Sequence, residues 1–206
     1  MPHISPELQK AIDNIETCKR VVSEKIADSG RKSSLLALVD NLEETLILAP
    51  ASTRIDYHGA FPGGLIDHSL RVLKTMSALN RAYEANLSTD NLVITGLFHD
   101  VGKCGNGERS YYLPKSSDWH NKQGIMYEIN PDMINQPVSL RSLYLLQKFG
   151  VKLSEDEHYA ISTIKDRTRS TEDSQLGSNE PMLAVILQQA VRVACIKASG
   201  KSSLLG

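Results

Sequence analysis

The stretch that decides the fold reads L-V-I-T-G-L-F-H-D-V-G-K and covers residues 92–103. It predicts a short apolar helix that ends at His99 and Asp100 and is closed by Gly102. Burying an imidazole and a carboxylate without partners costs free energy, so their position directly after Leu-Phe needs a physical reason. A bound metal ion is one such reason. The alternative is structural, with His99 capping the helix C-terminus and Asp100 paired with Lys103.

A second histidine is predicted to face the same site from the preceding helix. Between Leu65 and about Asn86, apolar residues recur at helical spacing, and His68 lies on their stripe. In the following helix, Gly96 and His99 share the inner face. Because Gly96 has no side chain, it permits two helices to approach closely. We therefore expect the two helices to pack together with both imidazoles at one site.

Length and composition indicate a single compact domain and exclude several classes of protein. The chain has 206 residues, of which 41% are hydrophobic and 23% charged, so it resembles neither a disordered nor a membrane protein. A net charge of −1 gives no bulk electrostatic reason to bind nucleic acid. The N-terminus lacks the pattern of a signal peptide, and the three cysteines form no C-x-x-C pair. We expect reduced thiols and a cytoplasmic location.

Periodicity predicts further helices before and after the two helices that carry His68 and His99. The sequence shows neither a convincing strand nor a Gly-rich phosphate loop. We therefore predict an all-α fold, a helical bundle in a single domain. Residues 1–54 are expected to form an N-terminal helical hairpin packed on the core, residues 55–199 to form the domain itself, and residues 200–206 to form a loose tail. The hairpin could serve a dimer interface as well as the core, so a homo-oligomer stays open. The expected helices outside the central pair begin near Ser5, Ser33 or Ser34, Ser139, Ser154 and Pro181.

Residues 104–137 show no sustained periodicity and are rich in glycine and proline. A stretch of this kind inside a compact domain is typical of a functional loop or lid. It contains the only tryptophan of the chain, Trp119, followed by His120. These two side chains could stack on and hydrogen-bond a base or sugar of a substrate, or Trp119 could simply anchor the loop to the core. Cys104 begins the stretch, and a ligand or reactive role for it is the less favoured interpretation.

Two motifs together carry a family resemblance. Y-H-G-A-F-P-G-G-L-I-D-H-S (57–69) and F-H-D-V-G-K (98–103) resemble the HD-domain metal-dependent phosphohydrolases over about residues 57–199. The form with G-G-L before the first histidine is similar to HD proteins of bacteria and their phages. The resemblance implies a helical bundle that holds one or two divalent cations, with His68, His99 and Asp100 as the metal ligands.

The donor set and the resemblance together imply a reaction. Imidazoles and a carboxylate suit Mn, Fe, Ni, Co or Zn better than Mg alone. The implied activity is hydrolysis of a nucleotide or related phosphate ester by a metal-activated water that attacks phosphorus. Asp100 would bind metal and orient the water, Lys103 would meet phosphate charge, and His58 would protonate the leaving oxygen. Arg71 could contact phosphate, or it could be an ordinary surface arginine.

The last helix departs from the family pattern. Relatives usually carry an Ala-Asp pair there as the source of a fourth ligand, whereas this chain has Ala190-Val191. Asp166 or His120 could supply a replacement, and His158 is expected at the surface. Loss of the carboxylate should weaken metal binding. The alternative function is therefore a degenerate HD domain that binds a nucleotide or a protein partner without turnover, and a nucleic-acid-processing role is weaker still.

Overall fold

The computed structural model describes residues 5–164 and 179–198, which form eight α-helices, one short 3₁₀ helix and a two-stranded β-ribbon. The predicted all-α class is confirmed, because the ribbon has only three residues in each strand. The α-helices are α1 (Pro6–Lys25), α2 (Ser29–Leu48), α3 (Gly64–Ala82), α4 (Thr89–Phe98), α5 (Asp118–Lys122), α6 (Val138–Lys148), α7 (Glu155–Thr163) and α8 (Met182–Ala198); the 3₁₀ helix is Val101–Cys104, and strands β1 (Tyr112–Pro114) and β2 (Tyr127–Ile129) pair antiparallel.

Polar caps set the beginnings of the first two helices. Ser5 caps α1 as predicted, with its Oγ accepting from the Leu8 amide at 3.2 Å. The second helix begins earlier than expected, because the Asp28 carboxylate accepts from the Arg31 amide at 2.8 Å. The expectation of a start at Ser33 or Ser34 was wrong by one turn, since serine and aspartate are equally good N-caps.

The α1–α2 hairpin covers the apolar side of the His99 helix. One face of α2 is buried, and its apolar residues belong to the same hydrophobic cluster as Leu97 and Phe98 of α4. Each fully buried side chain of this kind contributes about 1.5–3 kcal/mol relative to an exposed one. The buried face of α2 consists of Leu35, Val39, Leu42 and Leu46.

Helices α3 and α4 pack closely at Gly96, as its lack of a side chain predicts. A Cβ atom at Gly96 would lie 3.0 Å from the Leu73 Cα atom. The first of these helices ends at Ala82 and not near Asn86, because Glu84 and Asn86 adopt positive φ angles of 50° and 53°. Helix α8 also packs on α3, the helix that carries His68.

A buried ion pair connects α7 to the N-terminal hairpin. The helix begins at Ser154 as predicted, and Ser154 and Glu157 form a capping box in which the Ser154 amide donates to Glu157 Oε2 at 2.8 Å. The second oxygen of this fully buried carboxylate accepts from Arg31 Nη2 at 2.5 Å. Glu157 therefore both begins its own helix and holds α2 against it.

The predicted tail at 200–206 lies outside the described residues. Within the described ranges, no helix combines the length and apolar character needed to span a membrane.

Candidate metal centre

Two buried imidazoles meet where α3 packs on α4. His68 lies in the first turns of α3 and is 3% exposed, and His99 follows the last residue of α4 and is fully buried. Their ring centroids are 5.6 Å apart at an interplanar angle of 61°. The sequence-based expectation that the two helices bring both rings to one site agrees with this geometry.

The backbone orients the His99 ring. Its Nδ1 lies 3.1 Å from the carbonyl oxygen of Gly96, one turn earlier in α4. Because a carbonyl oxygen can only accept, Nδ1 carries the proton, and Nε2 keeps its lone pair. Nε2 faces Asp100, at 3.8 Å from Oδ2. A hydrogen bond from one ring nitrogen to a backbone carbonyl is the usual way in which a metal-ligating histidine is held.

Asp100 and Lys103 form a buried ion pair beside the two rings. Lys103 Nζ donates to Asp100 Oδ2 at 2.7 Å and to the carbonyl oxygen of Ala51 at 2.6 Å. The carboxylate is 1% exposed and the lysine side chain 6%. The structural interpretation of the His-Asp pair thus applies in part, since Asp100 does pair with Lys103. The same Asp100 oxygen lies 3.8 Å from His99 Nε2, so the lysine and the histidine ring approach one carboxylate atom.

His68 has a nitrogen that suits a metal ion. Its buried Nε2 has no hydrogen-bond partner among the described residues. Burial, with a smaller contribution from His99 and Lys103, holds the pKa of His68 well below its usual value. The neutral ring keeps a lone pair in a place where protonation is unfavourable. Ligand atoms of His68, His99 and Asp100 lie within 4.8 Å of one another, so this donor set could hold a divalent ion.

The loop before α3 brings His58 to the same site. The His58 ring lies 4.6 Å from the His68 ring, centroid to centroid. The Ser52 hydroxyl donates to the His58 carbonyl oxygen at 2.7 Å and so fixes the loop. A Cβ atom at Gly64 would lie 2.1 Å from the carbonyl oxygen of Gly59, so only glycine lets this loop pack on the start of α3. The F-P-G-G sequence therefore serves close backbone approach.

Sequence reasoning did not assign any role to Cys195. Its Sγ lies 3.5 Å from His58 Nε2, and its side chain is partly exposed. The signal that could have found it is its position on α8, one helical turn after Val191. Val191 itself packs against an apolar cluster. The remaining cysteines, Cys18 and Cys104, are buried in the main hydrophobic cluster. Neither belongs to a described group of possible metal ligands.

The glycine that follows the His-Asp pair is required by packing. A Cβ atom at Gly102 would lie 2.6 Å from the carbonyl oxygen of Val138 and 2.8 Å from the Ser142 amide nitrogen. The Gly102 amide donates to Ser142 Oγ at 2.9 Å. The 3₁₀ helix that carries Lys103 therefore rests directly on the backbone of α6, which fixes the position of the lysine.

Three of the predicted substrate-binding residues, Arg71, Trp119 and His120, lie at the periphery. Arg71 is exposed, donates to Asp67 Oδ2 at 2.7 Å, and lines a cavity of about 290 Å³ between α3 and α8. Trp119 on α5 is 62% exposed, and the adjacent His120 shares a short hydrogen bond with Ser117 Oγ. This geometry places none of these side chains in the histidine cluster, and their substrate contacts stay a prediction.

Among the suggested replacement ligands, His120 does not belong to either described cluster of possible metal ligands, and Asp166 lies outside the described residues. His158 is exposed, as expected.

A cavity of about 230 Å³ opens next to Lys103. Its walls are mainly apolar and aromatic, and Tyr111, Tyr112 and Tyr127 belong to them. Burial raises the pKa of Tyr127, so this phenol stays protonated and can donate a hydrogen bond. The cavity thus combines the aromatic rings of the three tyrosines with the ammonium-bearing side chain of Lys103.

The chain was compared with known families, curated proteins and solved structures. The model of the HD domain family matches residues 65–129, a stretch that includes His68, His99 and Asp100. Neither the curated proteins nor the solved structures gave a match. HD domains are all-α and typically bind divalent metals, in agreement with the helical fold and with the buried cluster of histidine and aspartate. The match over residues 65–129 supports membership of the HD-domain superfamily.

Proposed function

We propose that the protein is a metal-dependent phosphohydrolase that acts on a nucleotide or a related phosphate ester. The observation that carries the proposal is the convergence of His68, His99 and Asp100, whose ligand atoms lie within 4.8 Å of one another in a buried site. A manganese, iron, nickel, cobalt or zinc ion suits this mixed nitrogen and oxygen donor set. Once bound, such an ion polarises a phosphoryl oxygen and makes water a better nucleophile.

The side chains of the site divide the remaining tasks. His68 and His99 would present ring nitrogens to the ion, and Asp100 would present a carboxylate oxygen. The Asp100 carboxylate can also accept a hydrogen bond from the attacking water and so orient it. Lys103, which pairs with Asp100 at 2.7 Å, places an ammonium group where phosphate charge would enter.

The cavity beside Lys103 supports a nucleotide as the substrate. A phosphate held near the ammonium group would leave its organic part within reach of the aromatic walls formed by Tyr111, Tyr112 and Tyr127. Aromatic side chains stack on the π-face of any nucleobase, so such walls favour a ring system without selecting one base.

Hydrolysis assays on the purified chain test the proposal. Mononucleotides and a generic phosphodiester would be incubated with manganese, cobalt or nickel, beside a His99→Ala control. We expect metal-dependent release of phosphate or nucleoside in the wild type alone. Activity no higher than that of His99→Ala with every substrate and metal would reject the hydrolase.

A second candidate function is a degenerate HD domain that binds a nucleotide or protein partner without turnover. Val191 favours it, because an apolar side chain packs at the place on α8 where a carboxylate was expected. Val191→Asp discriminates between the two functions. A variant that gains activity over an inactive wild type would mark the present chain as a binding domain.

A further inference from the structure

Helix α8 contributes a sulfur atom to the edge of the candidate metal centre. Ligand atoms of His58, His68 and Cys195 lie within 4.8 Å of one another, so His68 belongs both to this group and to the group with His99 and Asp100. The shared residue is the one whose buried Nε2 has no hydrogen-bond partner among the described residues. Two groups of donor atoms thus converge on one ring.

The separation between sulfur and nitrogen suits coordination. In tetrahedral sites, metal–sulfur distances of about 2.3 Å and metal–nitrogen distances of about 2.0–2.1 Å place the two ligand atoms about 3.5 Å apart. The observed distance between Cys195 Sγ and His58 Nε2 is 3.5 Å. Without metal, the same contact is a weak thiol–imidazole hydrogen bond, so the two side chains need little movement to become ligands.

The charge of the site gives a second reason. The Asp100 carboxylate is already paired with the Lys103 ammonium at 2.7 Å. These groups have no net negative charge to offset a divalent ion in a buried place. A thiolate would supply that charge, and its proton would leave to solvent when the ion binds. Val191 cannot supply it.

We propose that Cys195 and His58 are ligands of the metal ion held by His68, with the Cys195 thiolate compensating for the missing carboxylate at Val191. This inference rests on the proposed metal-dependent function. A thiolate ligand favours zinc, iron or cobalt over magnesium. It also changes the role of His58, because a ring nitrogen that binds the ion cannot protonate the leaving oxygen. The proton would then come from water or from another group.

Cobalt loading of the full chain tests the inference without any activity assay. Co²⁺ bound to a thiolate gives an intense charge-transfer band in the near ultraviolet, which nitrogen and oxygen ligands do not give. We expect this band in the wild type and in Cys104→Ser, a buried cysteine outside the site. Cys195→Ser should lose the band, and its cobalt affinity should fall at least about tenfold, the minimum seen even for outer partners of metal ligands. His58→Gln should keep the band but bind cobalt more weakly.

A measurement without any substitution guards against a misfolded variant. Stoichiometric zinc should protect Cys195 of the wild type from alkylation, as identified by peptide mass spectrometry. The inference is overturned if the wild type binds cobalt without the band, if Cys195→Ser retains it, or if zinc gives no protection. In those cases metal uptake, and with it the proposed function, still stands. A wild type that takes up no cobalt would overturn both.

Discussion

Replacing Lys103 by methionine should destabilise the metal-free protein strongly, because it removes the partner of a buried carboxylate. Lys103 Nζ lies 2.7 Å from Asp100 Oδ2, and both side chains are almost completely buried. Methionine keeps an unbranched apolar side chain but removes the ammonium partner of the buried Asp100 carboxylate. Removing one partner of a buried ion pair costs about 3–5 kcal/mol. For a chain of this size, 3 kcal/mol corresponds to a fall of about 6–12 °C in Tm.

A matched control is a second lysine–carboxylate pair with the same separation between nitrogen and oxygen. Lys115 Nζ also lies 2.7 Å from a carboxylate oxygen, that of Glu128, but these side chains are 30% and 42% exposed. Exposed pairs contribute about 0–1 kcal/mol, so Lys115→Met should change the free energy of unfolding by no more than that. The two substitutions delete the same ammonium group and differ mainly in burial.

Urea denaturation of the chelator-treated proteins, followed by circular dichroism, measures both effects. We expect Lys103→Met to lose at least 2 kcal/mol more than Lys115→Met, an estimate taken from the ranges for buried and exposed pairs (about 3–5 against 0–1 kcal/mol). Excess manganese should recover part of the loss, because an ion bound by Asp100 replaces the ammonium group as its positive partner. Equal losses in the two variants would refute the argument that burial makes the Lys103–Asp100 pair essential.

Two further predictions concern packing and thiol chemistry. Gly96→Ala should cost about 1–3 kcal/mol, because the new Cβ atom would lie 3.0 Å from a backbone atom of α3. Gly30→Ala, in the exposed first turn of α2, should cost less, because its Cβ atom would meet only the Asp28 side chain, at 3.3 Å. Thermal melts of the two variants decide this, and an unchanged Tm for Gly96→Ala would contradict the close helix contact. In the folded metal-free protein, Cys195 should react with a thiol reagent much faster than Cys18 and Cys104, since burial raises the pKa of both buried thiols, that of Cys18 to about 12. Mass spectrometry after brief alkylation tests the order, and equal labelling of all three cysteines would contradict it.

The helical part of the fold could be predicted because its signals are local. The stripe that carries His68, the small residue at Gly96 and the capping box at Ser154 all lie within single helices, where periodicity and caps report directly on burial. The β-ribbon was missed for a physical reason. Three residues in each strand are too few to show alternation, so β1 and β2 could not be distinguished from loop.

The site was only partly accessible from the sequence. The adjacent His99 and Asp100, followed by Gly102, mark the centre through a short motif. The contact between Cys195 and His58, in contrast, joins residues 137 positions apart, and no local pattern encodes it. The two interpretations of Asp100, a lysine partner and a metal ligand, also looked exclusive in the sequence. In the structure, Asp100 pairs with Lys103 and also belongs to a group of possible metal ligands.

Metal content tests the central claim most directly. The protein would be purified without chelator and analysed for transition metals beside His99→Ala, with circular dichroism to verify that the variant folds. The account predicts near-stoichiometric transition metal in the wild type and its loss in His99→Ala. A folded wild type that contains no metal, and takes up neither manganese nor zinc when they are added, would contradict it.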